Sequence, residues 1–261
     1  MTHSRQQKNF KKSQTNTLKK LKKKQTLKKR KYLNPEDKHF VIAIDGPAGA
    51  GKSTVAKIVA KRLNFLYVDT GAMYRALTLK ALKQNIDFHN PQALIEMAKD
   101  TTIELIQNGD SYRVLLDGQD VSNEIRTEQV STNSHFVASI HEIRQLLWDI
   151  QRSYRKNHDI VMEGRDIGSK VFPDAQLKIY LDASVQERAK RRYLQLKQQG
   201  IEEDIEKLQR EIEIRDQRDK NREIAPLKKL DDAVVIDTTF MTIEQVVSAI
   251  IDLYKEKTGK V

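Results

Sequence analysis

From Gly46 to Ser53 the chain reads G-P-A-G-A-G-K-S, a full match to the spacing G-x-x-x-x-G-K-[ST], and Thr54 follows. Gly46, Gly49 and Gly51 let the backbone turn sharply, so that the N–H groups of the run, Pro47 excepted and Ala48 and Ala50 included, converge on phosphate oxygens. Lys52 places a point charge near the β- and γ-phosphates, Ser53 offers a hydroxyl to Mg²⁺, and a helix beginning at Lys52 adds the positive end of its dipole. Those types at that spacing bind a nucleoside triphosphate with Mg²⁺. A second set of residues suits the same chemistry: Arg75, Arg144, Arg165, Arg215, Arg218 and Arg222. Phosphoryl transfer asks little covalent help of a protein, but both anions must be held in line and the migrating charge neutralised, which planar, always-charged guanidiniums do. The chain has no N-K-x-D for a guanine base and no D-x-x-G switch, which argues against a regulatory GTPase.

These residues need a scaffold that gathers them. Phe40 to Ile44 reads as a fully buried strand, and V55-x-x-I58-V59-x-x-x-L63 follows the glycines at helical period. A second strand, Phe65 to Asp69, runs into Thr70 and a helix to about Gln84. Asn90-Pro91 opens a short helix, and Thr102–Asn108 with Ser111–Asp117 form a hairpin around Gly109-Asp110, in an insertion of about residues 85–127. Residues 128–156 read as two helices broken near Ile140-His141. Ile160 to Met162 is a strand that delivers Glu163-Gly164-Arg165-Asp166, and Gln176–Leu181 is another. Charged helices over 184–199 and 202–219 form a flap, or lid, of about residues 188–220, before a last strand at Ala233–Ile236 and an amphipathic helix from Ile243. Strands alternating with helices predict a three-layer α/β fold with a doubly wound parallel sheet of about five strands.

Composition narrows the setting. The chain of 261 residues has no cysteine, no run of about 18 apolar residues and no apolar signal core at its start, so a soluble, cytoplasmic protein without a membrane span is expected. Net charge is +11, yet 13 of the 47 Lys and Arg lie in residues 1–34, which hold no acid. Residues 35–261 therefore carry 34 basic against 36 acidic side chains. Residues 1–34 read as a disordered, lysine-rich extension, and residues 35–261 as the folded domain. Two readings of the extension stand side by side: a solvated tail, or a weak polyanion contact with RNA or an anionic surface.

From about residue 40 to its end the chain resembles the bacterial cytidylate kinases, the (d)CMP kinase branch of the nucleoside monophosphate kinases. The resemblance is carried by IDGPAGAGKST (44–54), DTGAMYR (69–75), GQDVSNEIRT (118–127), EGRDIGSKVFPDA (163–175), DASVQERAKRR (182–192), RDQRDKNREIAPL (215–227) and VVIDTT (234–239). It implies ATP on residues 46–54, with Arg191 and Arg218 as further phosphate partners and Lys52, Arg165 and Arg222 at the transferred group. It implies the acceptor phosphate among Arg75, Arg165 and Arg222, the ribose at Arg215 and Asp219, Thr70 close to the nucleotide, and the base at Arg144 and Asp166. Chemistry agrees with the last pair, because cytosine offers N3 and O2 to an arginine and a 4-amino donor to a carboxylate. The sequence departs from the family at His135, where a base-contacting serine is usual; either the neighbouring Ser134 serves or the histidine makes the contact. A monomer acting on ATP and CMP or dCMP, with Mg²⁺, is the resulting expectation. The rivals are a kinase for another small acceptor such as UMP, and an ATP-switched RNA- or ribosome-binding protein that uses the basic extension.

The charge distribution generates a first test. Deleting residues 1–34 is expected to leave kcat and KM for CMP within about twofold, because every assigned site residue lies at or beyond Gly46. Any retention on heparin or RNA at low salt should fall with the deletion and with rising salt. Equal retention of full-length and truncated protein would leave a solvated tail.

Overall fold

Along the strand that leads into the glycine-rich loop, side chains alternate between two cores. Val41 and Ala43 of β1 (Val41–Asp45) belong to one apolar cluster, Ile42 and Ile44 to another, and all four are buried. A strand covered on both faces reads as a continuous apolar run, which is why VIAI precedes the loop. The computed structural model describes residues 39–108, 111–198 and 200–259, so the readings made for residues 1–34 lie outside the described residues.

The main sheet is five-stranded and parallel, in the order β2–β6–β1–β7–β8. Here β2 is Leu66–Asp69, β6 Ile160–Gly164, β7 Leu177–Asp182 and β8 Val234–Asp237. On one face Ile42, Ile44, Val161 and Leu177 pack against α1 (Lys52–Leu63) and the C-terminal helix α8 (Ile243–Thr258), through Val55, Val59, Val247 and Ile250. The other face carries α2 (Thr70–Lys83), α3 (Pro91–Lys99), α4 (Glu128–Ser139) and α5 (His141–Ser153), whose Met73, Leu77, Leu94, Val137, Ile143 and Leu147 are buried with Val68, Ile160 and Met162. This is the three-layer architecture expected. Each wholly buried Ile or Leu contributes about 1.5–3 kcal/mol.

A smaller antiparallel sheet, in the order β3–β4–β5, comprises Ile103–Asn108, Ser111–Leu116 and Gln119–Asp120. Its hairpin pairs Ile103 with Leu116 and Leu105 with Val114, as the alternation predicted; β5 is too short to leave a pattern. Its side chains reach the edge of the main sheet. The Tyr67 N–H donates to Gln107 Oε1 at 2.9 Å and the Asp69 N–H to Tyr112 Oη at 3.2 Å. Helix α2 starts where the Asp69 carboxylate accepts the Ala72 N–H at 2.9 Å, a side-chain N-cap.

Helices α6 (Val185–Gln198) and α7 (Ile205–Asn221) form the charged pair. Ala189, Leu196 and Leu208 make its small buried cluster, while Leu194, Ile205 and Ile214 are exposed. Among the described residues no helix is long and apolar enough to cross a membrane.

At the end of β1 opposite the loop, Phe40, Phe65 and Tyr254 close the second core, with Tyr254 edge-on to both phenyl rings at centroid distances of 5.0 and 5.5 Å. Tyr254→Ala is expected to lower unfolding free energy by about 3 kcal/mol in a denaturant titration, with activity per folded molecule unchanged. A loss under about 1 kcal/mol would mean the three rings do not anchor α8.

Candidate active site

The loop between β1 and α1 begins with a contact only glycine permits. Gly46 has φ 150°, and a Cβ there would stand 2.0 Å from the Leu181 carbonyl oxygen. Gly51, at φ 89°, caps α1 without a side chain, and the first turn of α1 holds no acidic residue. The N–H groups at the start of α1 thus keep their positive field for an incoming anion.

Lys52 is 5% exposed, and its Nζ donates to the Pro47 carbonyl at 2.7 Å. Burial, with Arg165 nearby, pushes the ammonium down to about 7, against the pull of Glu163, Asp219 and Asp45. Beside it the carboxylate of Glu163, at the end of β6, accepts from the Ser53 hydroxyl and from Tyr67 Oη, the latter at 2.8 Å. Burial and the neighbouring Asp69 raise its pKa. Glu163 escaped the sequence reading of the site, although the strand delivering it was recognised; a carboxylate at a strand end has no local signature of what it will face.

Around this centre lie the arginines. Arg165 Nε donates to Asp219 Oδ2 at 2.8 Å, which ties β6 to α7. Asp219, held below the usual carboxylate range by Arg165 despite its burial, also feels Arg215 and Arg222. Arg215 is exposed on α7, and the surrounding protein, then the like charges of Arg165 and Arg75, lower its pKa. Arg75 Nη2 donates to Asp69 Oδ2 at 3.0 Å. The Thr70 hydroxyl is buried and donates to the Glu163 carbonyl at 2.7 Å, so it fastens the start of α2 to the end of β6.

Farther from the loop, Arg144 is 1% exposed. Its Nη2 donates to Asp166 Oδ2 at 2.6 Å and its Nη1 to the Ala138 carbonyl at 2.9 Å, between the rings of Tyr74 and Trp148. Trp148 Nε1 donates to the same Asp166 oxygen at 2.9 Å. Among the described residues, Tyr74 Oη and Arg144 Nε are buried without a hydrogen-bond partner. Arg222 is an electrostatic neighbour of Arg144, Asp166, Asp219 and Tyr74, and its guanidinium donates to the carbonyls of Ile224 and Ala225.

The flap residues divide. Arg191 donates to the Thr238 carbonyl at 2.7 Å and lies against Gly51, whereas Arg218 is exposed on α7 with no ion pair among the described residues. Arg188, not singled out in the sequence, is buried at the base of α6. It makes a two-pronged pair with Asp216 of α7 at 2.6 and 3.0 Å and donates to the Ala48 carbonyl of the loop at 3.1 Å. His135 Nδ1 lies 2.7 Å from the Thr132 carbonyl, its ring 4.0 Å from that of Phe136, and the Ser134 hydroxyl donates to the Ser131 carbonyl at 3.0 Å. Both engage their own helix.

A glycine-rich cradle with a buried lysine, at the carboxyl edge of a parallel sheet and ringed by arginines, defines a phosphate-loop phosphotransferase. Sequence comparison narrows the class. A family model described as cytidylate kinase matches residues 42–256. A cytidylate kinase from Alkaliphilus oremlandii is 53% identical over 214 residues, covering 82% of this chain and 97% of its own. Those from Geobacillus sp. (strain WCH70) and Lactobacillus johnsonii are 51% and 46% identical over 84% and 83% of this chain, and 97% and 94% of theirs. The chain belongs to the cytidylate kinase family.

The buried ammonium generates the test of this site. Lys52→Met is expected to lower kcat/KM at least about 100-fold. It should not lower the unfolding temperature at neutral pH, because a Lys whose folded pKa is depressed costs stability at every pH below its unfolded value of 10.5. Transfer retained within about tenfold would remove Lys52 from the reaction.

Proposed function

We propose that this chain transfers the terminal phosphoryl group of ATP to CMP and dCMP, by direct in-line displacement. The observation that carries the reading is the buried Arg144–Asp166 pair. Trp148 and Arg144 both occupy Asp166 Oδ2, and among the described residues Oδ1 has no donor. An acceptor oxygen beside a fixed guanidinium complements the 4-amino group and the N3 and O2 of cytosine; uracil, with a carbonyl at C4, would set oxygen against oxygen.

In this reading Arg75, Arg165 and Arg222 hold the acceptor phosphate, and Arg215 and Asp219 the ribose. Thr70 frames the site through Glu163, and His135 or Ser134 borders the base. Residues 46–54, with Arg191 and Arg218, hold ATP. Lys52, Arg165 and Arg222 neutralise the migrating group, whose charge is spread over its oxygens in the transition state. Ser53 and Glu163 form an oxygen-donor pair suited to Mg²⁺ bound with the ATP phosphates. The ion supplies charge neutralisation on those phosphates. The insertion at about 85–127 is read as the acceptor-binding part, and the pair at about 188–220 as a lid that excludes water.

A coupled ADP-release assay over CMP, dCMP, UMP, AMP and GMP tests this, with CMP and dCMP expected to give the highest kcat/KM. Asp166→Asn should narrow the CMP-to-UMP ratio about tenfold or more, since an amide donates where the carboxylate only accepts. An unchanged ratio removes Asp166 from base reading, and greater turnover of another acceptor overturns the substrate assignment.

A further inference from the structure

We propose that Asp45 is a positioning residue for the acceptor: its carboxylate fixes the segment bearing Arg165 and Asp166 at a set offset from the phosphate loop. Asp45 is the last residue of β1 and immediately precedes Gly46. In the sheet it is registered with Gly164, the last residue of β6. Beyond Gly164 the chain leaves the ladder, so backbone pairing no longer holds Arg165 and Asp166 to β1.

The Asp45 side chain takes over at that point. The Ile167 N–H donates to its Oδ1 at 2.9 Å and the Gly168 N–H to its Oδ2 at 2.8 Å. These two N–H groups open a wide turn over Ile167–Val171, in which the Phe172 N–H reaches back to the Ile167 carbonyl at 2.7 Å. The first turn of a helix leaves such N–H groups without partners inside the helix, and Asp45 supplies both from another element. The two residues just before the turn are Arg165, which pairs with Asp219, and Asp166, which pairs with Arg144. One carboxylate therefore references the acceptor side to the first residue of the donor side.

The placement has a cost. Asp45 is buried, and burial pushes its carboxyl up to about 6, the two N–H donors opposing that rise and Asp166 adding to it. Each of its two oxygens accepts an N–H, the pattern of a carboxylate. A buried ion whose partners are two backbone amides beside a reaction centre gives geometry rather than stability.

The inference rests on CMP as the acceptor, and the test separates the two. In the full chain, Asp45→Asn replaces one acceptor oxygen with an amide NH2 that faces an N–H. The dissociation constant for CMP is expected to rise about tenfold or more, while that for ATP changes less than about threefold. A role confined to the fold would weaken both alike, so equal weakening, ATP weakened more, or CMP binding unchanged overturns the assignment. Gly168→Ala crowds the turn that Asp45 holds without changing the phosphate loop, since its Cβ would stand 3.2 Å from Lys178 Cδ, 3.3 Å from Leu230 Cδ1 and 3.4 Å from Asp45 Oδ2. It should show the same split, and the double variant should bind CMP no more weakly than the weaker single one. Additive losses overturn the shared contact. If Asp45→Asn does not fold, Gly168→Ala alone decides, by the same split. A parent enzyme inactive on CMP sinks the substrate reading, whereas an active parent with an unsplit variant sinks only the role of Asp45.

Discussion

A buried ammonium at the carboxyl edge of the sheet sets the terms for the rest of the molecule. Lys52 is withdrawn from water and held by one carbonyl, and the nearby Arg165 repels it. What keeps that charge tolerable is a set of carboxylates drawn from three elements: Asp45 from β1, Glu163 from β6 and Asp219 from α7. The strand order places β1 beside β6, so two of the three arrive by backbone pairing alone. The third comes from a helix more than 50 residues later, through Arg165. Lys52 Nζ donates to a neutral carbonyl, and a bound phosphate chain would give the ammonium an anionic acceptor instead.

The region around Arg144 balances its charge differently. Arg144 and Asp166 neutralise each other in near-complete burial, with two aromatic rings and an indole N–H confining them. Such a pair adds little to stability in itself, but it cannot reorient without leaving an unpaired charge in the interior. Under the proposed assignment, that rigidity would turn one hydrogen-bonding pattern on a base into a requirement. Tyr74 Oη and Arg144 Nε, buried there without a protein partner, mark the same region as one whose polar groups are not all satisfied from within.

What could be read from the sequence follows the distance over which each signal acts. The phosphate loop is local: spacing, the preceding apolar run and the helical period all lie within about 25 residues, and β1, the loop and α1 stand as expected. The break between α4 and α5 was legible too, at Ile140. The partners of the arginines were not. Arg165 meets Asp219 across 54 positions and Arg188 meets Asp216 across 28, and the dense alternating charge of α7 carries no local mark of which acid meets which arginine. Glu163 and Asp45 were passed over because a carboxylate closing a strand carries no hint of the loop or turn it will meet. The wide turn at Ile167–Val171 was equally silent, since its N–H partners come from a strand 122 residues earlier.

The clasp between the two sheets bears on how molecules of this protein meet one another. β2 ends the main sheet, and a strand edge with unspent N–H groups is a template for a strand from another chain. Here Gln107 and Tyr112 occupy the Tyr67 and Asp69 N–H groups with side-chain oxygens. These are acceptors that satisfy the edge without extending it, because a side chain has no further backbone to pass the ladder on. Intermolecular strand addition, the first step toward ordered aggregation, is thereby blocked at this margin, so in a crowded solution the small sheet acts as a guard for the large one.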